Sequence, residues 1–151
     1  MALKRTEKWD IEEFDKHLNE HASKPFVWGE NDCALSAANA ILSFTGVDLA
    51  AEFRGAYTDK RTAFAAIRRI TGGSTIADAA AWCAEKHGLV EYEYPLMAQR
   101  GDLVVMAQNA EDAEDKLMAG VVHLSGAHMV TVGEGGLVRI SILNVRRAWK
   151  V

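Results

Sequence analysis

In the stretch WGENDCALSAANAILSF, residues 28 to 44, Cys33 follows a polar, turn-forming run and opens an apolar segment at helical spacing. A thiol in the first turn of a helix lies near unpaired backbone N–H groups and the positive end of the helix dipole, and both favour thiolate. The chemistry this would serve is nucleophilic attack on an amide carbonyl. That reaction needs a base to take the thiol proton and a further group to orient the base. Asp32, directly before the cysteine, is a residue type that caps helices through its carboxylate, and a negative charge beside sulfur opposes thiolate formation. Capping is therefore its expected role. Of the five histidines, His17 and His21 fall on an amphipathic segment and His87 at a helix end, so these three read as surface or capping residues. His123 and His128 lie in strand-like segments. Cys83, inside AAAWCAE, reads as a small buried side chain.

The elements that must hold these residues follow from periodicity. Asp10 and Glu13 have capping-box spacing, and Ile11, Phe14 and Leu18 recur helically, which predicts a helix over about 10 to 21. Pro25 and Gly29 interrupt it. Asp32 then caps a helix that is apolar nearly all round and ends at Gly46. Further helices are expected over about 48 to 54, 60 to 70 and 75 to 87. Beyond residue 88 the period changes. LVEYEY, DLVVMA, MAGVVHL, AHMVTVG, LVRISIL and RRAWKV are short, β-branched or aromatic runs separated by turn residues, as in an antiparallel sheet. HLSGAHM and VGEGGLV read as hairpin connections, with Gly126, Gly135 and Gly136 free to take positive φ. The acidic insert NAEDAEDK, residues 109 to 116, reads as a solvated loop.

The chain of 151 residues is the size of one domain, helical over about 1 to 88 and sheet over about 89 to 151, which makes the expected class α+β. Hydrophobic residues at 49% and charged residues at 25% suit a packed core. A formal charge of -4 supplies no basic field for nucleic acid. No run has the length of a membrane span or the form of a signal peptide, so synthesis and folding in the cytoplasm are expected. Two cysteines without a C-x-x-C pattern imply neither a zinc site nor a disulfide framework, and no cofactor is expected. Phe26, Trp28, Trp82 and Trp149 read as core or interface aromatics.

Three blocks carry a resemblance. WGENDC is similar to the aromatic-Gly, short polar run and Asp-Cys that open NlpC-type, papain-like cysteine peptidase domains of bacterial cell-wall enzymes and phage tails. QRGDLVVM, residues 99 to 106, resembles their Gly-Asp-Leu-Val strand, and MAGVVHLSGAHMVTVGEGGLVRI resembles their His-Val-Gly-Ile-Tyr strand, hairpin and returning strand. The likeness covers about residues 25 to 143. TGVD at 45 to 48, FRGAY at 53 to 57 and Arg147-Ala148-Trp149 further resemble a family of small phage and prophage proteins whose genes lie in tail-assembly clusters.

The resemblance implies an α+β papain-like fold with Cys33 at the nucleophile position. It puts Met118 where the histidine base stands and Val130 near the orienting residue, and neither side chain accepts a proton. His123 lies an odd number of residues from Met118, on the opposite strand face. His128 shares the parity of Val130 and is the candidate substitute base. The expected function is that of a tail-associated structural or assembly protein with a catalytically degenerate hydrolase fold. The alternatives are an active cysteine peptidase or amidase on peptidoglycan peptides, and a non-catalytic module that binds wall peptide or a tail protein. The expected partners are other tail proteins, met through the termini, including Trp149, or through sheet edges.

Overall fold

A computed structural model of the chain describes residues 2–151 and has an α+β frame. Four α-helices, α1 (Asp15–His21), α2 (Cys33–Thr45), α3 (Lys60–Thr71) and α4 (Ile76–Lys86), precede a six-stranded sheet. Its strands are β1 (Val90–Glu91), β2 (Leu103–Met106), β3 (Met118–Val122), β4 (His128–Gly133), β5 (Gly136–Ser141) and β6 (Val145–Lys150). They lie in the order β1-β6-β2-β3-β4-β5, and every pairing is antiparallel.

The helical half is held by its caps. Asp32 accepts from the Leu35 amide and Gly46 ends α2 in the left-handed conformation. Capping boxes open α3 at Asp59–Thr62 and α4 at Thr75–Asp78. Such caps satisfy amides that would otherwise lack partners, each contributing about 1 kcal/mol. The α2 helix is central because it carries no charged residue and buries Leu35, Ile41 and Phe44 almost completely.

The sheet separates two apolar clusters by strand alternation. Leu103, Val105, Ala119, Val121, Val130 and Trp149 face the helices and join the main core. Val104, Met106, Val122, Met129 and Ala148 face the other way, where Tyr92, Ala98, Ile140, Ile142 and Val145 cover them. A one-residue alternation therefore builds two cores from the same strands.

Several expectations change. The segment expected to begin a helix at Asp10 is a π-type turn over Trp9–Phe14, and regular α-helix starts only at Asp15. Asp10 bonds the Ile11 amide and forms no capping box. Residues 49 to 54 form consecutive turns rather than a helix, with Asp48 bonding the Ala50 amide and pairing with Arg54. LVEYEY contributes only two residues of strand, and Gly135 does not take positive φ although Gly126 and Gly136 do. His17, expected at the surface, is buried, because α1 packs on α2 and β5. Trp149 is 2% exposed and belongs to the core, so it cannot serve as a docking aromatic.

Candidate functional site

Cys33 is the first residue of α2 and is buried. The nearby backbone of Ala119 on β3, of Ala34 and of Cys33 itself favours thiolate. Burial outweighs this. It raises the thiol pKa to about 11, with the adjacent Asp32 carboxylate adding to the rise. The dipole and amides of the helix N-terminus are present, but the dry surroundings keep the sulfur protonated at neutral pH.

Asp32 is itself 1% exposed, and its partners account for that. One carboxylate oxygen caps α2 through Leu35 N–H at 2.9 Å. The other accepts from Gly29 N–H at 3.0 Å and from Tyr57 O–H at 2.5 Å. Burial first and this bond second raise the Tyr57 hydroxyl pKa, so it remains a donor. Gly29 is required for the arrangement: its φ is 80°, and a Cβ there would lie 2.5 Å from the Tyr57 carbonyl oxygen. Tyr57 is thus the functional neighbour that local sequence reasoning missed. The signal was the FRGAY stretch, whose tyrosine lies 25 residues from the aspartate it bonds.

A cavity of about 60 Å³ opens beside the sulfur, bounded by Trp28, Asp32, Cys33, Tyr57, Cys83 and Ala119 and otherwise by aliphatic side chains and Phe53. Both cysteines border it as free thiols. Burial raises Cys83 as well, to about 12. No histidine is among the residues that line this space.

The strand residue against Cys33 is Ala119, while the neighbouring Met118 lies half-buried at the start of β3 and touches both apolar clusters. Neither side chain can take a proton. His123 shares the parity of Ala119 but lies four residues farther on, about 13 Å along an extended strand. His128 stands at that same level, its carbonyl accepting the His123 N–H at 2.8 Å, and its Nδ1 lies 3.3 Å from Ser125 Oγ at the β3–β4 turn. Cys33 and His128 are therefore not brought together. Val130 pairs with Val121 and packs into the helix-facing core. His21 stacks on His17, and His87 caps the end of α4.

Among the described residues no cluster has the composition of a metal site, and no helix is long and apolar enough to cross a membrane. Residues 4–151 match the model of the family described as Domain of unknown function (DUF6950). The chain belongs to that family. It matches no curated protein and no solved structure. Since the family match begins at residue 4 and ends at 151, the Cys33 site, the Asp32–Tyr57 bond and the full sheet all lie within the DUF6950 domain.

Proposed function

We propose that this protein is a non-catalytic member of the NlpC-type, papain-like class that serves as a structural or assembly component of a phage or prophage tail. The observation that carries the loss of catalysis is the lining of the Cys33 cavity, which offers a buried carboxylate, a phenol and aliphatic groups but no imidazole. A thiol held at about 11 beside Asp32, with no base, lacks the general-base contribution of about 10²- to 10⁴-fold on which acyl transfer relies. The order of elements supports the class: a cysteine at the head of a central helix, facing an antiparallel sheet through Ala119. Assignment to a tail rests on the resemblance of WGENDC, FRGAY and Arg147-Ala148-Trp149 to tail-cluster proteins.

The test pairs chemistry with genetics. In a Cys83→Ala background, iodoacetamide should label Cys33 slowly, with an apparent pKa near 11, and wall peptides should not be cleaved. In the phage or prophage that encodes the chain, Cys33→Ala should support full yields of infectious particles where deletion of the gene does not. Rapid labelling at pH 6 that disappears in His128→Ala would favour the hydrolase alternative, with His128 as its base. Undiminished particle yield after gene deletion would remove the tail role.

The cavity gives the binding-module reading a specific footing. Its volume, on the order of two water volumes, is of the size of a small apolar side chain and lies next to the Asp32–Tyr57 pair. A wall peptide or tail-protein segment presenting such a side chain would use the cleft without the chemistry.

A further inference from the structure

His17 and His21 form a pair where the N-terminal helix packs on α2 and β5. His17 on α1 is 6% exposed, and its ring stacks on that of His21 at 4.0 Å between centroids. Lys24 Nζ lies 3.3 Å from His21 Nε2. His123 and His128 flank the β3–β4 turn, and Arg139 of β5 acts electrostatically on His123.

The segment after α1 is fastened to the β4–β5 hairpin at two points. Leu137 N–H donates to the Ala22 carbonyl at 3.0 Å, and Phe26 N–H donates to the Gly133 carbonyl at 3.0 Å. The approach is close enough that a Cβ on Gly136 would lie 2.1 Å from the Ala22 oxygen. This strap runs on into Trp28, which borders the Cys33 cavity.

We propose that α1 and residues 22 to 28 form an acid-released latch, closed while His17 is neutral and opened when His17 takes up a proton. The charges around it make release one-sided. The α2 helix, on which α1 packs, carries no charged residue, and β5 brings Arg139. The strap brings Lys24, the β4–β5 turn brings Glu134, and the β3–β4 turn brings His123 and His128, but of these only Lys24 acts on His17. The Trp9–Phe14 turn carries Asp10, Glu12 and Glu13, of which Glu12 pairs with Lys8 and Asp10 with Arg100. On α1 itself, Lys16 and Glu20 pair with one another, and Asp15, bonded by Asn19, acts favourably on His123. Among the described residues no carboxylate acts on His17, whereas His21 and Lys24 both oppose its protonation.

Burial, reinforced by His21 and Lys24, lowers His17 from its ordinary 6.5 to about 4. The opened strap binds the proton first, so closure is fully favourable above pH 6.5. It weakens as pH falls from there and levels off below about 4. Across that window the opening constant should rise by up to about tenfold per pH unit.

Amide hydrogen exchange of the full chain followed by NMR, corrected for its intrinsic pH dependence, reads this directly. Between pH 6.5 and 4.5 the opening constant at the Leu137 and Phe26 amides should rise about 40-fold. The Val122 amide, bonded to the Asp102 carbonyl within the sheet, should change far less. In His17→Phe the rise at the two strap amides should vanish. A flat profile in the unaltered chain, an equal rise at Val122, or an unchanged rise in His17→Phe would each overturn the latch. Should His17→Phe fail to fold, the imidazole titration of His17 in the unaltered chain decides: a value below about 5 supports the latch, and a value near the ordinary 6.5 overturns it.

Discussion

Two aspartates, Asp32 and Asp102, are each 1% exposed, each follow a turn, and each accept from a tyrosine hydroxyl and two backbone amides. They differ in reach and in charge. Asp32 collects Gly29, Leu35 and Tyr57, and among the described residues no cation pairs with it. Asp102 takes Gln99 N–H at 2.8 Å and Tyr92 O–H at 2.6 Å, then adds Val151 N–H at 3.0 Å and Arg5 Nη2 at 3.1 Å. Arg5 also donates to the Val151 carbonyl and stacks over Trp9, so one carboxylate joins the two ends of the chain to the start of β2. The difference teaches that a buried carboxylate can be satisfied locally, as a helix cap, or can serve as the junction of a fold. Among the described residues only the junction has a counter-charge.

The comparison is broken most directly by removing each carboxylate. Asp102→Ala leaves Arg5, Tyr92 and Val151 without their acceptor and should cost about 3–5 kcal/mol, the range for breaking a buried ion pair. Asp32→Ala removes a cap and strands Gly29 N–H and Tyr57 O–H, at a cost of about 1–3 kcal/mol. Urea unfolding of both variants checks the order, and a larger loss for Asp32→Ala would reverse the assignment of roles.

A sharper intervention makes the two sites alike. Arg5→Met keeps much of the apolar stem over Trp9 and removes the cation, leaving Asp102 with a tyrosine and two amides, as at Asp32. Because Arg5 is only 19% exposed, the loss should be about 2 kcal/mol, below that of Asp102→Ala. A neutral result in urea unfolding would show that the tyrosine and amides suffice at both sites.

The smallest effect concerns the sulfur. Asp32→Asn keeps a good capping residue and costs about 1 kcal/mol as its amide meets the Gly29 donor. It removes a charge that raises the Cys33 pKa, so the thiol should titrate lower than about 11 in the pH profile of iodoacetamide labelling. It should stay above ordinary thiols, because burial is the larger cause.

Much of the helical half was legible. Asp32 caps α2 as its residue type and position predicted, and α3 and α4 lie within a residue or two of their periodic stretches. The segment at 49 to 54 misled because Leu49, Ala50 and Phe53 have helical spacing, yet they point into the core from successive turns. His17 misled for the converse reason. Charged neighbours gave α1 a surface character, but helix packing on α2 and β5 turned His17 inward. The partnerships of Asp32 with Tyr57 and of Asp102 with Val151 and Arg5 were hidden because hydrogen bonds across 25 to 97 residues leave no local pattern.

The sequence by itself determined the α-then-β order, the cap at Asp32, the position of Cys33 at a helix head and the period-two strands that follow, since each depends on interactions within a few residues. Only the tertiary structure decided which strand residue meets the sulfur. Ala119 rather than Met118 borders Cys33, and His128 is held at the far turn by register with His123. Strand alternation has a period of two, so a shift of one residue exchanges the faces, and that register is set by long-range pairing rather than by the residues themselves.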